Sequence, residues 1–114
     1  MPNIRISGVS KETVSTLSNL LTNELASVMN LPQTALTFFA GDENLYRGSE
    51  KLDNFCYITV EWFDKGEEIQ EKVAGILTKA TLGNSQLGLE RIQTVKMNFI
   101  MLVAKNYYAN GVHY

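Results

Sequence analysis

One pattern constrains this chain before any other. A strand-like run, an amphipathic helical run and a second strand-like run occur in that order, and then the same order begins again. In the first set, "NIRIS" alternates Asn3, Arg5 and Ser7 with Ile4 and Ile6, the period-two signature of a half-buried strand. Gly8 ends the run. Ser10 is placed to cap a helix, and Glu12 falls in the first turn, where the helix dipole favours a negative charge. Val14, Leu17, Leu21, Leu25 and Val28 follow at spacings of three and four, so one helical face is apolar. The helix must stop before "LPQ", because Pro32 disfavours helical geometry at Leu31. "TALTFFA" reads as the second strand, and "GDENLYRGSEKLDN" as a polar loop.

The second set opens with "FCYITVEWF", β-branched and aromatic, with Cys56, Ile58, Val60 and Trp62 on one face. Asp64 followed by Glu67 predicts a capping box. Ile69, Val73, Ile76 and Ala80 line the next helix, and "LGNSQLG" breaks it. "IQTVKMNFIMLV" predicts a long fourth strand, with Val95, Met97, Phe99 and Met101 opposite Thr94, Lys96, Asn98 and Ile100. In the tail "NYYANGVHY", Asn110-Gly111 is a type I′ turn signal.

Each strand-helix-strand unit should cross over right-handedly and pair its strands in parallel. Two units side by side predict an α+β domain over residues 1–114, with pseudo-repeat halves of about 1–54 and 55–114. Its four-stranded mixed sheet would carry both helices on one face. The other face is then bare, and the fourth strand is apolar on both sides near its end (Ile100 and Leu102 as well as Met101 and Val103), which favours subunit contacts.

Composition narrows the function. The net charge of −2, with ten Lys and Arg residues scattered singly, argues against a nucleic-acid partner. The single cysteine, Cys56, permits no internal disulfide and suits a reducing, cytoplasmic compartment. The chain starts without the apolar stretch of a signal peptide, and its longest apolar run, Phe99 to Ala104, is too short to cross a bilayer, so no membrane partner is expected.

Met1-Pro2 opening the first strand, the duplicated order, "LPQ" before the second strand and "VKMNF" in the fourth carry a resemblance to the tautomerase superfamily. That group includes 4-oxalocrotonate tautomerase, 5-carboxymethyl-2-hydroxymuconate isomerase and macrophage migration inhibitory factor. "VEWFDKGEEIQEKVA" and the tail are similar to an uncharacterised branch, a domain of unknown function. The resemblance implies a homotrimer with sites between subunits, no cofactor and no metal. It also implies that Pro2, freed of Met1, acts as a general base on a small keto or unsaturated acid. Taken alone, Pro2 is an ordinary stiff residue at the start of a strand.

The substrate clamp departs from the resembling pattern. Thr37 stands where one branch has a strand-two arginine, and Asn30 where another has a lysine. Arg5, Arg47 and Lys96 remain as substitute cations for a carboxylate, each equally readable as a solvated surface charge. By resemblance, Lys96 faces the neighbouring subunit's proline. Asn98, on the same face, offers a hydrogen bond to a substrate oxygen or to backbone. Glu61 is a weaker candidate as a second acid, and Tyr107 or Tyr108 as an enolate-stabilising phenol. His113 has no partner cluster for a metal, and Cys56 reads as a core thiol. Two alternatives stay open beside a tautomerase: a non-catalytic trimeric binding module of the same fold, and a ferredoxin-like ligand-binding domain.

Overall fold

In the computed structural model, residues 2–41 and 44–114 are described. Strand β1 (Asn3–Ser7) follows the Asn/Arg/Ser alternation, with Ile4 and Ile6 fully buried. Gly8 then turns the chain at φ 98°, and a Cβ there would run into the Phe55 carbonyl oxygen, so only glycine fits. Helix α1 (Lys11–Met29) starts where Ser10 Oγ accepts the Thr13 N–H at 3.1 Å. It ends on Asn30 in the left-handed region (φ 56°), and the Leu31 N–H returns to the Ala26 carbonyl. The chain enters a 3-10 turn at Gln33–Ala35 before strand β2 (Thr37–Ala40). The predicted second strand therefore begins three residues late, because Ala35 is drawn into the core by the turn that Pro32 starts.

Two further expectations are corrected. The stretch expected as a polar loop holds a hairpin, strands β3 (Leu45–Arg47) and β4 (Glu50–Leu52), with Leu45 opposite Leu52 and Gly48 at φ 62° in the turn. Asp42 and Glu43 of that stretch lie outside the described residues. The Asp64–Glu67 capping box does not form. Gly66, at φ 92°, is the residue ahead of helix α2 (Glu67–Thr81), and Asp64 Oδ1 accepts the Gly66 N–H at 2.9 Å. Asp64 closes the turn before the helix and does not reach the helix's own amides.

Strand β5 (Phe55–Trp62) precedes α2, and strand β6 (Thr94–Met101) follows it after a 3-10 turn at Ser85–Leu87. The sheet order is β2-β1-β5-β6. β1 runs parallel to β2 and antiparallel to β5, and β5 runs parallel to β6. Both strand-helix-strand units thus pair in parallel, and the units join antiparallel through β1 and β5, with both helices on one face.

The core lies between sheet and helices. Ile4, Ile6, Cys56, Ile58, Val60 and Trp62 from the sheet meet Leu17, Leu25 and Met29 of α1 and Val73 and Leu77 of α2, all with no exposed surface. Full burial of each such aliphatic side chain contributes about 1.5–3 kcal/mol. Of the predicted α2 face, Val73 is fully buried, while Ile69, Ile76 and Ala80 are half-buried beside it. Trp62 packs against Phe99 at a tilt of 49°, ring centroids 5.1 Å apart, and donates its indole N–H to Met101 Sδ at 3.2 Å, so its polar atom is not stranded. The tail turns at Ala104–Asn106 and forms a short hairpin, β7 (Tyr108–Ala109) and β8 (Val112–His113). Asn110 (φ 53°) and Gly111 (φ 82°) give the predicted two-residue turn.

Candidate functional site

Pro2 stands one residue ahead of β1 and is buried. Its carbonyl accepts the Thr37 N–H at 3.1 Å, which fixes the start of the central strand against β2. Thr37, the residue that replaces the resembling arginine, therefore lies beside Pro2 and brings no charge. Asn30, which replaces the lysine, caps α1 in a left-handed conformation that asparagine tolerates well.

The sheet face away from the helices arranges the other candidates in rows. Asn3 is registered with Thr37 on one side and Glu61 on the other, and Glu61 with Ile100. The next row runs Phe39, Arg5, Thr59 and Asn98, and the third runs Ser7, Tyr57 and Lys96. Arg5 and Asn98 thus share a row, two strand spacings or roughly 10 Å apart. The Arg5 guanidinium rests 4.8 Å from the Phe39 ring centroid. Lys96 is exposed, its Nζ 5.7 Å from the Phe55 centroid. Arg47 is exposed on the β3–β4 hairpin opposite Glu50, a two-stranded sheet of its own outside these rows.

Within one protomer, Lys96 lies in the row of Ser7, five residues along β1 from Pro2, or roughly 16 Å at the strand rise. A protomer therefore does not bring its own Lys96 to its own Pro2. Pro2 lines neither the cavity of about 530 Å³ between the helices nor the one of about 510 Å³ between α1 and β2.

Beyond Trp62, Phe63 meets Tyr107 edge-on at 5.6 Å and stacks with Tyr114 at 5.7 Å, while the two tyrosines touch edge to face at 5.0 Å. This aromatic trio pins the tail to the end of β5 from which β1 starts. Only the aromatic tail hinted at it in the sequence, and Phe63 gave no separate signal. Tyr108 projects from the tail hairpin and packs edge-on against His113 at 5.8 Å. Cys56 is fully buried, and that burial pushes its thiol up to about 11 against the opposing charge of Arg91, so it is a poor nucleophile. Arg91 donates to the Asp53 carbonyl at 2.7 Å and the Gly8 carbonyl at 3.3 Å, at the end of β1 away from Pro2.

Residues 1–113 match the sequence profile of a family described as a domain of unknown function (DUF1904). A solved DUF1904 domain from Sebaldella termitidis ATCC 33386 is 29% identical, with a TM-score of 0.85 over 100% of both chains. A protein of unknown function from Vibrio cholerae O1 biovar eltor is 25% identical, with a TM-score of 0.79 over 99% of this chain and 87% of that one. A macrophage migration inhibitory factor-like protein from Entamoeba histolytica is 14% identical, with a TM-score of 0.75 over 99% of this chain and 98% of that one, a likeness of fold. The architecture is the tautomerase fold that the resemblance implied. No curated protein matches the sequence.

Proposed function

The chain belongs to the DUF1904 family, and on that premise we propose that it is a cofactor-independent keto-enol tautomerase or isomerase of a small keto or unsaturated acid. Its general base is the amine of Pro2 after removal of Met1, and it works as a cytoplasmic homotrimer. The observation that carries the reading is the burial of Pro2 at the head of the central strand of a tautomerase fold, with its carbonyl tied to Thr37.

An α-amino group has an ordinary pKa of roughly 7.7–8.0. Apolar surroundings disfavour its ammonium form and bring a usable fraction of free base to neutral pH. In the proposed reaction a C–H bond next to the substrate carbonyl breaks and its proton passes to the Pro2 nitrogen. The electron pair moves onto the carbonyl oxygen, and the proton returns to another carbon or to that oxygen. Lys96 and Asn98 of an adjoining subunit would hold the substrate's carboxylate and carbonyl oxygen. Arg5 and Arg47 are the reserve cations.

The test is intact mass spectrometry of untagged protein, followed by an enol-keto assay on phenylpyruvate. Mass should show Pro2 as the first residue. Pro2→Ala should cut kcat/KM by about 10²–10⁴, the usual contribution of a positioned base. A retained Met1, or equal activity in wild type and variant, overturns the reading.

A second reading, a trimeric binding module without catalysis, has one observation in its favour. The two positions that carry clamp cations in resembling enzymes hold an uncharged residue beside Pro2 and a helix cap. Binding of a keto acid without turnover would favour it.

A further inference from the structure

Glu61 is the ionisable group that the sheet register places nearest to Pro2. It pairs with Asn3, the residue directly after Pro2, and antiparallel partners have Cα atoms about 4.5–5.5 Å apart. It is half-buried on the face opposite Trp62, with the apolar Ile100 on its other flank. Among the described residues its carboxylate makes no hydrogen bond and no ion pair. Along the sheet, the cation in the adjoining row is Arg5, placed diagonally from Glu61, and its guanidinium is turned over Phe39. A half-buried carboxylate flanked by an isoleucine and left without a cation is an unusual use of a sheet position. A cation supplied at the adjoining chain start would complete it.

We propose that Glu61 is a positioning residue for the Pro2 amine, stabilising the ammonium that Pro2 becomes when it takes the substrate's proton. This rests on the proposed tautomerase reading of Pro2. The field of the Glu61 carboxylate favours the proton on Pro2, whereas burial of the amine opposes it. The two effects set the amine's proton affinity between them. The other charged or titratable groups at this end can be named. β1 offers Arg5, β5 offers Glu61, and Lys96 of β6 lies two rows off. Thr37–Ala40 of β2 carry no charge, Asp64 and Lys65 follow Phe63, and the tail packed on Phe63 carries Lys105, Tyr107, Tyr108, His113 and Tyr114. Glu61 is the anion that the sheet register sets beside the residue after Pro2.

At a separation of about 7 Å and an effective dielectric constant of about 20 to 80, Coulomb's law gives a shift of roughly 0.4 to 1.7 pKa units. The experiment titrates the Pro2 amine by NMR in protein carrying ¹⁵N-labelled proline and shown by intact mass to begin at Pro2. Glu61→Gln should lower the amine's pKa by about one unit, and Glu61→Asp by less. The acidic limb of the kcat/KM profile should move with it. In wild type, 1 M salt should lower the same pKa, because the Debye length there is about 3 Å. That measurement stands even if a variant fails to fold. An amine pKa unmoved by either Glu61→Gln or salt overturns the proposal. A shifted pKa in a protein without turnover leaves the Glu61–Pro2 coupling intact and overturns the tautomerase reading instead.

Discussion

At the scale of single residues, burial decides the chemistry more than residue type does. Cys56 shows this with a sign that can be worked out. Its thiol is pushed up to about 11 in the folded chain, chiefly by burial, from an ordinary value near 9.0. As pH rises past 9, the unfolded chain gives up this proton first and the folded chain keeps it, so the unfolded state gains stability. The stabilising effect is full below pH 9 and is lost as pH rises through about 11. Denaturant melts between pH 8 and 11 should show Cys56→Ala losing less stability than wild type across that window, by about 2–3 kcal/mol. Parallel losses in both proteins would mean the thiol ionises as freely folded as unfolded. Lys96 is the opposite case, an exposed ammonium whose worth depends on what covers it. In water an exposed ion pair contributes about 0–1 kcal/mol, and more in a water-poor site. Lys96→Ala should therefore leave the melting temperature within about 2 °C while raising KM for an acid substrate roughly tenfold. An unchanged KM would move the clamp to Arg5, Arg47 or nowhere.

At the scale of elements, the structure depends on a few start and stop residues. Gly8 ends β1 at φ 98° where the chain grazes the Phe55 carbonyl of β5. Gly8→Ala adds both backbone strain and a collision with main chain, and should destabilise by about 2–4 kcal/mol in a denaturant melt. Ser10→Ala removes one cap bond to Thr13 and should cost about 1 kcal/mol. If the serine change cost as much as the glycine change, the order of these two effects would be wrong. These same residues explain what could be read from the sequence. The alternation in "NIRIS" and "FCYITVEW" fixed which faces are buried, and Ile4, Ile6, Ile58 and Val60 all lie on the predicted side. The β3–β4 hairpin escaped because two three-residue strands hold only one apolar pair, Leu45 with Leu52, too few for a period to show. Asp64 looked like a helix cap because spacing alone cannot reveal that Gly66 turns at positive φ first. The site was less legible still. Pro2 and Thr37 are thirty-five positions apart, and no local pattern announces that one amide ties them. Asn30 read as a missing clamp, whereas its observed place is a helix end.

At the scale of the whole molecule, one protomer leaves its proposed chemistry unassembled. Lys96 lies five residues along the sheet from its own Pro2, and among the described residues both edge strands, β2 and β6, are unpaired on their outer sides. Ile100, Met101 and Val103 at the end of β6 are 43%, 45% and 51% exposed. Exposed apolar groups on a free strand edge invite a partner. A homotrimer in which β6 meets a neighbour's sheet would cover them and carry Lys96 and Asn98 to another chain's Pro2. Sedimentation should find a trimer at micromolar concentration, but mass alone does not say where the site lies. Mixing two impaired chains does. A Pro2→Ala chain keeps Lys96, and a Lys96→Ala chain keeps Pro2. Neither homotrimer has a complete site, yet a site between subunits is complete whenever Pro2 comes from the second kind and Lys96 from the first. Random assembly from equal amounts, after unfolding and refolding together, makes about one site in four complete by the symmetry of a closed ring. Turnover at low substrate should therefore reach about a quarter of wild type in the mixture, above the roughly one tenth left to the Lys96→Ala parent by its raised KM and the still lower level of the Pro2→Ala parent. A site within one protomer gains nothing from mixing, so a mixture no more active than the mean of its two parents would show that Lys96 serves no neighbour's Pro2, even for a chain that sediments as a trimer.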